Sequence, residues 1–318
     1  MEGRAVIGAA VLVVIGLVLL TVAADRLVLS AARLARIWGM SAILIGALVI
    51  GMGTSAPELL VSVLAAARGE MDMAIGNIVG SNVANLSLVL GVSVMILPVA
   101  GHLHTIKREG ILMLAGVIAF SALAWEGTIS TVEGAGLIVG IVISAFLLVS
   151  WSRRDVAEGI VKLDADTFAP PGKGAAVELT VGLIALAATL VGADLLVRGA
   201  RIVAIELGLS QGFIGLSLVA VGTSLPELAT GIAAARRREN ALVIGNVLGS
   251  NLFNSLGVAG AAALSGSGTF TADFRVPIIF MLVISTLAGV LTATGNRLVR
   301  WEGAALVVAY VGFLALAL

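Results

Sequence analysis

The 318-residue chain contains no cysteine, so disulfides, thiolate metal sites and a cysteine nucleophile are excluded. Charge is scarce as well. Asp, Glu, Lys and Arg make up 12% of the residues, against roughly 25% in a soluble domain. The 19 basic residues balance 19 acidic ones, which removes the positive excess that a nucleic-acid partner needs. Two histidines occur, His102 and His104, both in one short connection. No further histidine completes a zinc set, so this pair is assigned to a solvated loop.

What is abundant is apolar sequence, 59% of the residues, in runs that do not alternate with polar positions. Runs of about 20 residues fit membrane-spanning helices, one of the two backbone arrangements that satisfy themselves in lipid. The chain is expected to be an all-α integral membrane protein with ten spans: Ala5–Ala24, Ser41–Ala67, Met73–Leu97, Ile111–Ala124, Val132–Trp151, Ala176–Val197, Ser210–Ala235, Leu242–Leu264, Val276–Thr294 and Trp301–Leu318. The first run has no small-residue cleavage site before a polar mature region and is assigned to a membrane helix.

The two halves repeat. At a fixed offset of 169, Gly53-Thr54-Ser55-Ala56-Pro57-Glu58-Leu59 returns as Gly222-Thr223-Ser224-Leu225-Pro226-Glu227-Leu228. Gly76-Asn77 meets Gly245-Asn246, Gly80-Ser81-Asn82 meets Gly249-Ser250-Asn251, and Asn85 meets Asn254. Asp25 meets Asp194 and Glu133-Gly134 meets Glu302-Gly303 without a gap. Residues 1–151 and 176–318 are thus the two repeats, joined by a polar linker at 152–175. Five spans per half is an odd number, so the halves lie in the membrane with opposite orientation, as in many secondary transporters. Placing the N-terminus outside puts fourteen of the nineteen basic residues on the inner side. The expectation is a multi-pass cell-membrane protein with both termini extracytoplasmic and the linker in the cytoplasm.

A carboxylate in an apolar helix costs about 2.5–3.5 kcal/mol on insertion scales. One placed twice, in the same polar wrapping, asks for a cation. Thr54 and Glu58 are four apart and share a helical face, as do Ser81 and Asn85, and Ser250 and Asn254. Pro57 has no N–H and crowds the Gly53 carbonyl, so a kink that frees that carbonyl for coordination is expected, with Pro226 doing the same to Gly222. The pooled donors are carboxylates, hydroxyls, amides and carbonyls, all hard oxygen chemistry suited to calcium or sodium and unsuited to copper or zinc.

These motifs resemble the two alpha-repeats of the cation/calcium exchanger superfamily, most closely its sodium/calcium exchanger branch, and the likeness covers the whole chain. The resemblance implies ten helices in two inverted five-helix repeats, with helices 2, 3, 7 and 8 bent around a midplane ion site. It implies that Glu58 and Glu227 are the central ligands, with hydroxyls from Thr54, Ser55, Ser81, Thr223, Ser224 and Ser250. Asn85 and Asn254 are the flanking amides, and the Gly51 and Ala220 carbonyls line sodium positions. The implied activity is antiport of sodium against calcium by alternating access, with helices 1 and 6 sliding across the rest. Its partners are those two ions and the lipid bilayer, with no cofactor, no enzymatic step, no nucleic acid and no obligate protein partner. Some relatives carry Asp where this chain has Asn85 or Asn254, potassium-dependent exchangers among them, and two Asn lean against an obligatory potassium. The rival readings are a proton/calcium antiporter and, more remotely, a cation channel.

Other polar residues read as structural. Asn77, Asn82, Asn246 and Asn251 are helix–helix contacts. Asp194 pairs with Arg198 one turn on, and Glu133 and Glu302 open helices where an acid suits the positive end. The acidic linker residues Asp155, Asp164 and Asp166 are expected to be solvated, and Arg236-Arg237-Arg238 to fix topology.

Overall fold

The computed structural model describes residues 2–100, 103–159, 172, 174–206, 220–270, 274–294 and 297–317. It is helical along nearly all of that length. Helix α1 spans Glu2–Trp38. Helix α2 is split into α2a, Ala42–Thr54, and α2b, Ala56–Ala67. Then follow α3 (Met71–Ile96), α4 (Leu103–Ala124), α5 (Thr131–Ala157) and α6 (Ala175–Glu206). In the second half, α7a (Ala220–Thr223) and α7b (Leu225–Arg236) precede α8 (Asn240–Ser265), α9 (Arg275–Thr294) and α10 (Arg300–Ala317). The part of the expected seventh span before Ala220 (residues 210–219), and His102, Asp164 and Asp166, fall outside the described residues.

Several helices overrun their expected ends. Helix α1 does not stop at Ala24 but continues to Trp38, ending at Gly39 with φ 61°. Arg26, Arg33 and Arg36 interrupt hydropathy there, but arginine is a good helix former, and the turns between them are buried through Leu27, Val28, Ala31 and Leu34. Helix α5 likewise runs past Trp151. Asp155 is therefore not solvated: it is 2% exposed and bridges to Arg108 of α4 at 2.6 Å. The same guanidinium lies 4.6 Å over the Trp151 ring. Helix α5 starts with a complete capping box between Ser130 and Glu133, as its acidic first turn implied.

Among the described residues, five helices are long and apolar enough to cross a membrane, and the bent α2 pair adds a sixth. Their burial separates two roles. The apolar windows of α3 and α8 are each 78% buried, whereas those of α1, α5 and α6 are 22–28% buried. So α3 and α8 form the centre, and the others turn a broad apolar face outward, as lipid contact requires.

The repeat is visible in the packing. Strand β1 (Val99–Ala100) pairs with β4 (Arg297–Leu298), and β2 (Thr128–Ile129) with β3 (Gly268–Thr269), all antiparallel. Each pair joins one half to the other. Helix α3 meets α10 where Gly91 faces Gly303, and α8 meets α5 where Gly260 faces Gly134; a Cβ added to Gly91 or Gly303 would lie 2.7 Å from the facing carbonyl oxygen. These two contacts are copies of each other at the 169-residue offset.

Candidate ion site

The two Pro-Glu motifs sit at breaks in helices α2 and α7. At Ser55 the backbone leaves the helical region, with φ −79° and ψ 11°, and the axis turns by 44° between α2a and α2b. Ser224 repeats the break with φ −88° and ψ 6°. Pro57 and Pro226 do not act as mid-helix kinks. Each lies in the first turn of a new helix, where its missing N–H is an orphan in any case. The Gly53 carbonyl is not freed as expected: a backbone N–H of the cap at Ser55 donates to it. The backbone oxygen that faces the other half is two residues earlier. The Gly51 carbonyl accepts from the Ser250 hydroxyl of the other half at 3.1 Å, and from the Ser55 N–H at 3.2 Å.

This local structure aims the acids. Glu58 and Glu227 fall in the first turns of α2b and α7b, so each carboxylate lies beside the positive end of a helix dipole. Both are fully buried, at 0% and 1% exposure. Their partners cross between the halves: the Ser55 hydroxyl donates to Glu227 Oε1 at 2.9 Å, and the Ser224 hydroxyl donates to Glu58 Oε1 at 3.4 Å. Ser81 also approaches Glu58, and Thr54 approaches Glu227. Thr54 and Glu58 therefore do not act as one helical face. The break at Ser55 separates them and sends Thr54 toward the acid of the opposite repeat.

Helices α3 and α8 close the site. Both continue unbroken, without the sharp bend of α2, and each widens by a π-helical stretch, Asn85–Val89 in α3 and Phe253–Val258 in α8. Such widened turns are frequent at functional sites. Here they contain Asn85 and Asn254. Asn77 and Asn246 bind the acids from behind. The Asn77 amide donates to the Glu58 carbonyl at 3.2 Å and to Ser62 at 2.9 Å, and the Asn246 amide donates to the Glu227 carbonyl and to Thr230, both at 3.2 Å. Asn82 donates to Ser255 across the halves at 3.1 Å.

Among the buried polar atoms without a protein partner are Glu58 Oε2, Glu227 Oε2, and the amide oxygen and nitrogen of both Asn85 and Asn254. Buried polar atoms are rarely left unpaired. Two like charges facing each other unpaired are costlier still. The donor set is oxygen-rich and hard, and among the described residues no cluster of three His, Cys, Asp or Glu competes with it.

The sodium/calcium exchanger family model matches residues 8–152 and 178–318. The chain belongs to the sodium/calcium exchanger family. It is 31% identical to the sodium/calcium exchanger MaX1 of Methanosarcina acetivorans over 95% of this chain and 96% of that one. It is 33% identical to the inner membrane protein YrbG of Escherichia coli, over 88% of each. Among solved structures, the sodium-calcium exchanger NCX_Mj without sodium or calcium superposes with a TM-score of 0.85 at 30% identity, covering 98% of this chain and 99% of that chain. This exchanger is accordingly a multi-pass membrane protein of a transporter family rather than an enzyme family.

Of the site residues expected from sequence, Glu58, Glu227, Thr54, Ser55, Ser81, Asn85, Ser224, Ser250 and Asn254 are all at most 2% exposed and Thr223 is 9% exposed. Gly51 is buried and presents its carbonyl to Ser250. Ala220 opens α7a. Sequence reasoning missed the clamp that Asn77 and Asn246 place on the glutamate carbonyls. Its signal was present as two amides in register with the motif, each with a hydroxyl residue, Ser62 or Thr230, fifteen or sixteen positions before it.

Proposed function

We propose that this exchanger is a secondary antiporter that moves sodium and calcium in opposite directions by alternating access. Its ten helices form two inverted five-helix repeats, residues 1–151 and 176–318, joined by a cytoplasmic linker at 152–175, with both termini extracytoplasmic. The basic-residue bias supports that orientation.

Calcium and sodium are the cargo, and one oxygen-lined site serves both. Glu58 and Glu227 carry the charge. Thr54, Ser55, Ser81, Thr223, Ser224 and Ser250 supply hydroxyls, Asn85 and Asn254 amides, and Gly51 and Ala220 carbonyls. The observation that carries this reading is the crossed pairing: each glutamate is bonded by the serine of the opposite repeat, at 2.9 and 3.4 Å, and keeps its second oxygen free of any protein partner. Each repeat thus holds one half of the ligand shell within the core of helices 2–5 and 7–10, and a slide of helices 1 and 6 across that core changes the side from which the site is reached without dismantling it.

Coupling follows from charge. Two buried carboxylates fit one divalent cation, or sodium ions in its place, and the empty pair is too costly to carry through an occluded state, since each unpaired buried ion costs several kcal/mol. Turnover therefore needs a cation in each direction, which is exchange rather than leak. The experiment is calcium flux in proteoliposomes with sodium, potassium and proton gradients imposed one at a time. Uptake driven by sodium alone supports the reading. Uptake that follows only a pH gradient replaces it with proton/calcium antiport, and flux with no counter-ion replaces it with a channel.

A further inference from the structure

Charged residues outside the ion site also recur at the offset of 169, among them Asp25, which returns as Asp194, and Arg68, which returns as Arg237. Each Asp lies inside a long helix, Asp25 in α1 and Asp194 in α6. Each Arg closes a half-helix, Arg68 after α2b and Arg237 after α7b. The two closing turns share one backbone geometry. Arg68 has φ −92° and ψ −1°, and Arg237 has φ −85° and ψ 1°. The N–H of Glu70 reaches Ala65 and that of Glu239 reaches Ala234, both at 2.9 Å.

The side chains are nevertheless paired differently. Arg237 grips both carboxylate oxygens of Asp25 at 2.6 Å. Asp194 instead bonds Arg198 of its own helix at 2.8 Å, a partner without a copy, because the matching position in α1 is Leu29. Arg68 is exposed and bridges to no acid among the described residues. The packing shows the same imbalance: α1 lies along α7b, and α6 makes no comparable contact with α2b. Helices α1 and α6 are themselves fastened together. A Cβ at Gly16 would lie 2.5 Å from the Leu196 nitrogen, one at Gly192 would lie 2.6 Å from the Leu20 nitrogen, and Arg33 bridges to Glu178 at 3.1 Å.

We propose that Asp25–Arg237 and Asp194–Arg68 are alternative ion pairs that hold the α1–α6 unit in two positions against the remaining helices, one pair closing as the other opens. Exchanging the roles of two matched repeats generates the second position from the first, and in it Asp194 reaches Arg68 as Asp25 now reaches Arg237. These are positioning residues that touch no transported ion. The formed pair is 28% and 44% exposed, and pairs of that exposure bias an equilibrium by about two- to fivefold, a weight that a latch released in every cycle can have.

The inference rests on the alternating-access reading, and its test is independent of which ion is carried. The chain has no native cysteine, so Asp25→Cys with Arg237→Cys, and Asp194→Cys with Arg68→Cys, can be cross-linked in proteoliposomes with a short bifunctional methanethiosulfonate. Both pairs are expected to link, and a change of sodium or calcium that raises one yield lowers the other. Asp25→Asn in the Asp194→Cys, Arg68→Cys background is expected to raise that yield about two- to fivefold, and the charge-exchanged Asp25→Arg, Arg237→Asp to return it. Failure of the 68–194 pair to link under any ion condition, yields that rise and fall together, or a yield indifferent to Asp25→Asn overturns the proposal. A chain that links reciprocally but shows no sodium-driven calcium flux leaves the latch standing and removes the sodium/calcium assignment instead.

Discussion

The close contact at Gly249 makes a quantitative prediction about the ion site. Gly249 of α8 packs on Ala47 in α2a so tightly that an added Cβ would lie 2.4 Å from both the Cα and the carbonyl oxygen of Ala47. Ordinary carbon contacts are about 3.5–4.0 Å, so Gly249→Ala must push the two helices apart by roughly 1 Å. The next residue is Ser250, whose hydroxyl bonds the Gly51 carbonyl at 3.1 Å. A shift of that size breaks the bond and withdraws both oxygens from the proposed ion site. One such polar interaction is worth about 1–2 kcal/mol, so apparent calcium affinity should fall about five- to thirtyfold. Overpacking also costs about 1–3 kcal/mol of stability. The assay is a calcium titration of exchange in proteoliposomes, alongside thermal unfolding in detergent. Gly136→Ala is the control, since Gly136 is exposed on α5 and has nothing within 4 Å of an added Cβ. A Gly249→Ala protein that folds normally and keeps the parental calcium affinity would refute the reasoning.

Other substitutions separate the parts of the structure. Ser55→Ala and Ser224→Ala each remove the hydroxyl that serves the opposite acid, and each should weaken calcium affinity about tenfold or more, given about 1.5–3 kcal/mol for a hydrogen bond to a charged group; flux titrations check this, and an effect confined to one of the two would contradict a shared site. Pro57→Ala should leave the break at Ser55 in place, cost about 0.4–1 kcal/mol of stability and keep exchange near the parental rate, measured by flux and melting. Arg108→Ala strands the buried Asp155 and should lower stability by about 2–3 kcal/mol, below the full cost of splitting a buried pair because Arg108 is partly exposed. Its calcium affinity should stay unchanged, and adding Asp155→Asn should recover part of the lost melting temperature.

The register of the two halves was legible from the start, because Gly-Thr-Ser-x-Pro-Glu and Gly-Asn-x-x-Gly-Ser-Asn recur without a gap; the described residues named from the first motif lie at or just after the breaks, Asn85 and Asn254 lie in the π-turns, and Ser81 and Ser250 lie in the helical turn before them. The helix ends were less legible. Hydropathy stops α1 at Ala24, whereas burial of Leu27, Val28 and Leu34 and pairing of Arg33 with Glu178 carry the helix to Trp38. Asp155 looked solvated because its partner Arg108 is 47 residues away in sequence. Pro57 was misread in a more instructive way. A proline between two helical segments signals either a kink or a start, and only the backbone at Ser55 decides for a start. With that change Glu58 moves from mid-helix to a helix N-terminus, and the carbonyl that matters shifts from Gly53 to Gly51. The crossed bonds from Ser55 to Glu227 and from Ser224 to Glu58 were not legible at all, since no local pattern tells which acid a hydroxyl of the opposite repeat will meet.

The most direct test of the central claim is sodium-driven calcium uptake into proteoliposomes by Glu58→Gln and Glu227→Gln. Each exchange removes one of the two buried charges while keeping the shape and the hydroxyl contacts. The expected result is loss of calcium uptake in both variants, with the proteins still folded and monodisperse. Retention of sodium-driven calcium exchange by both would contradict the assignment of Glu58 and Glu227 as the shared ion site.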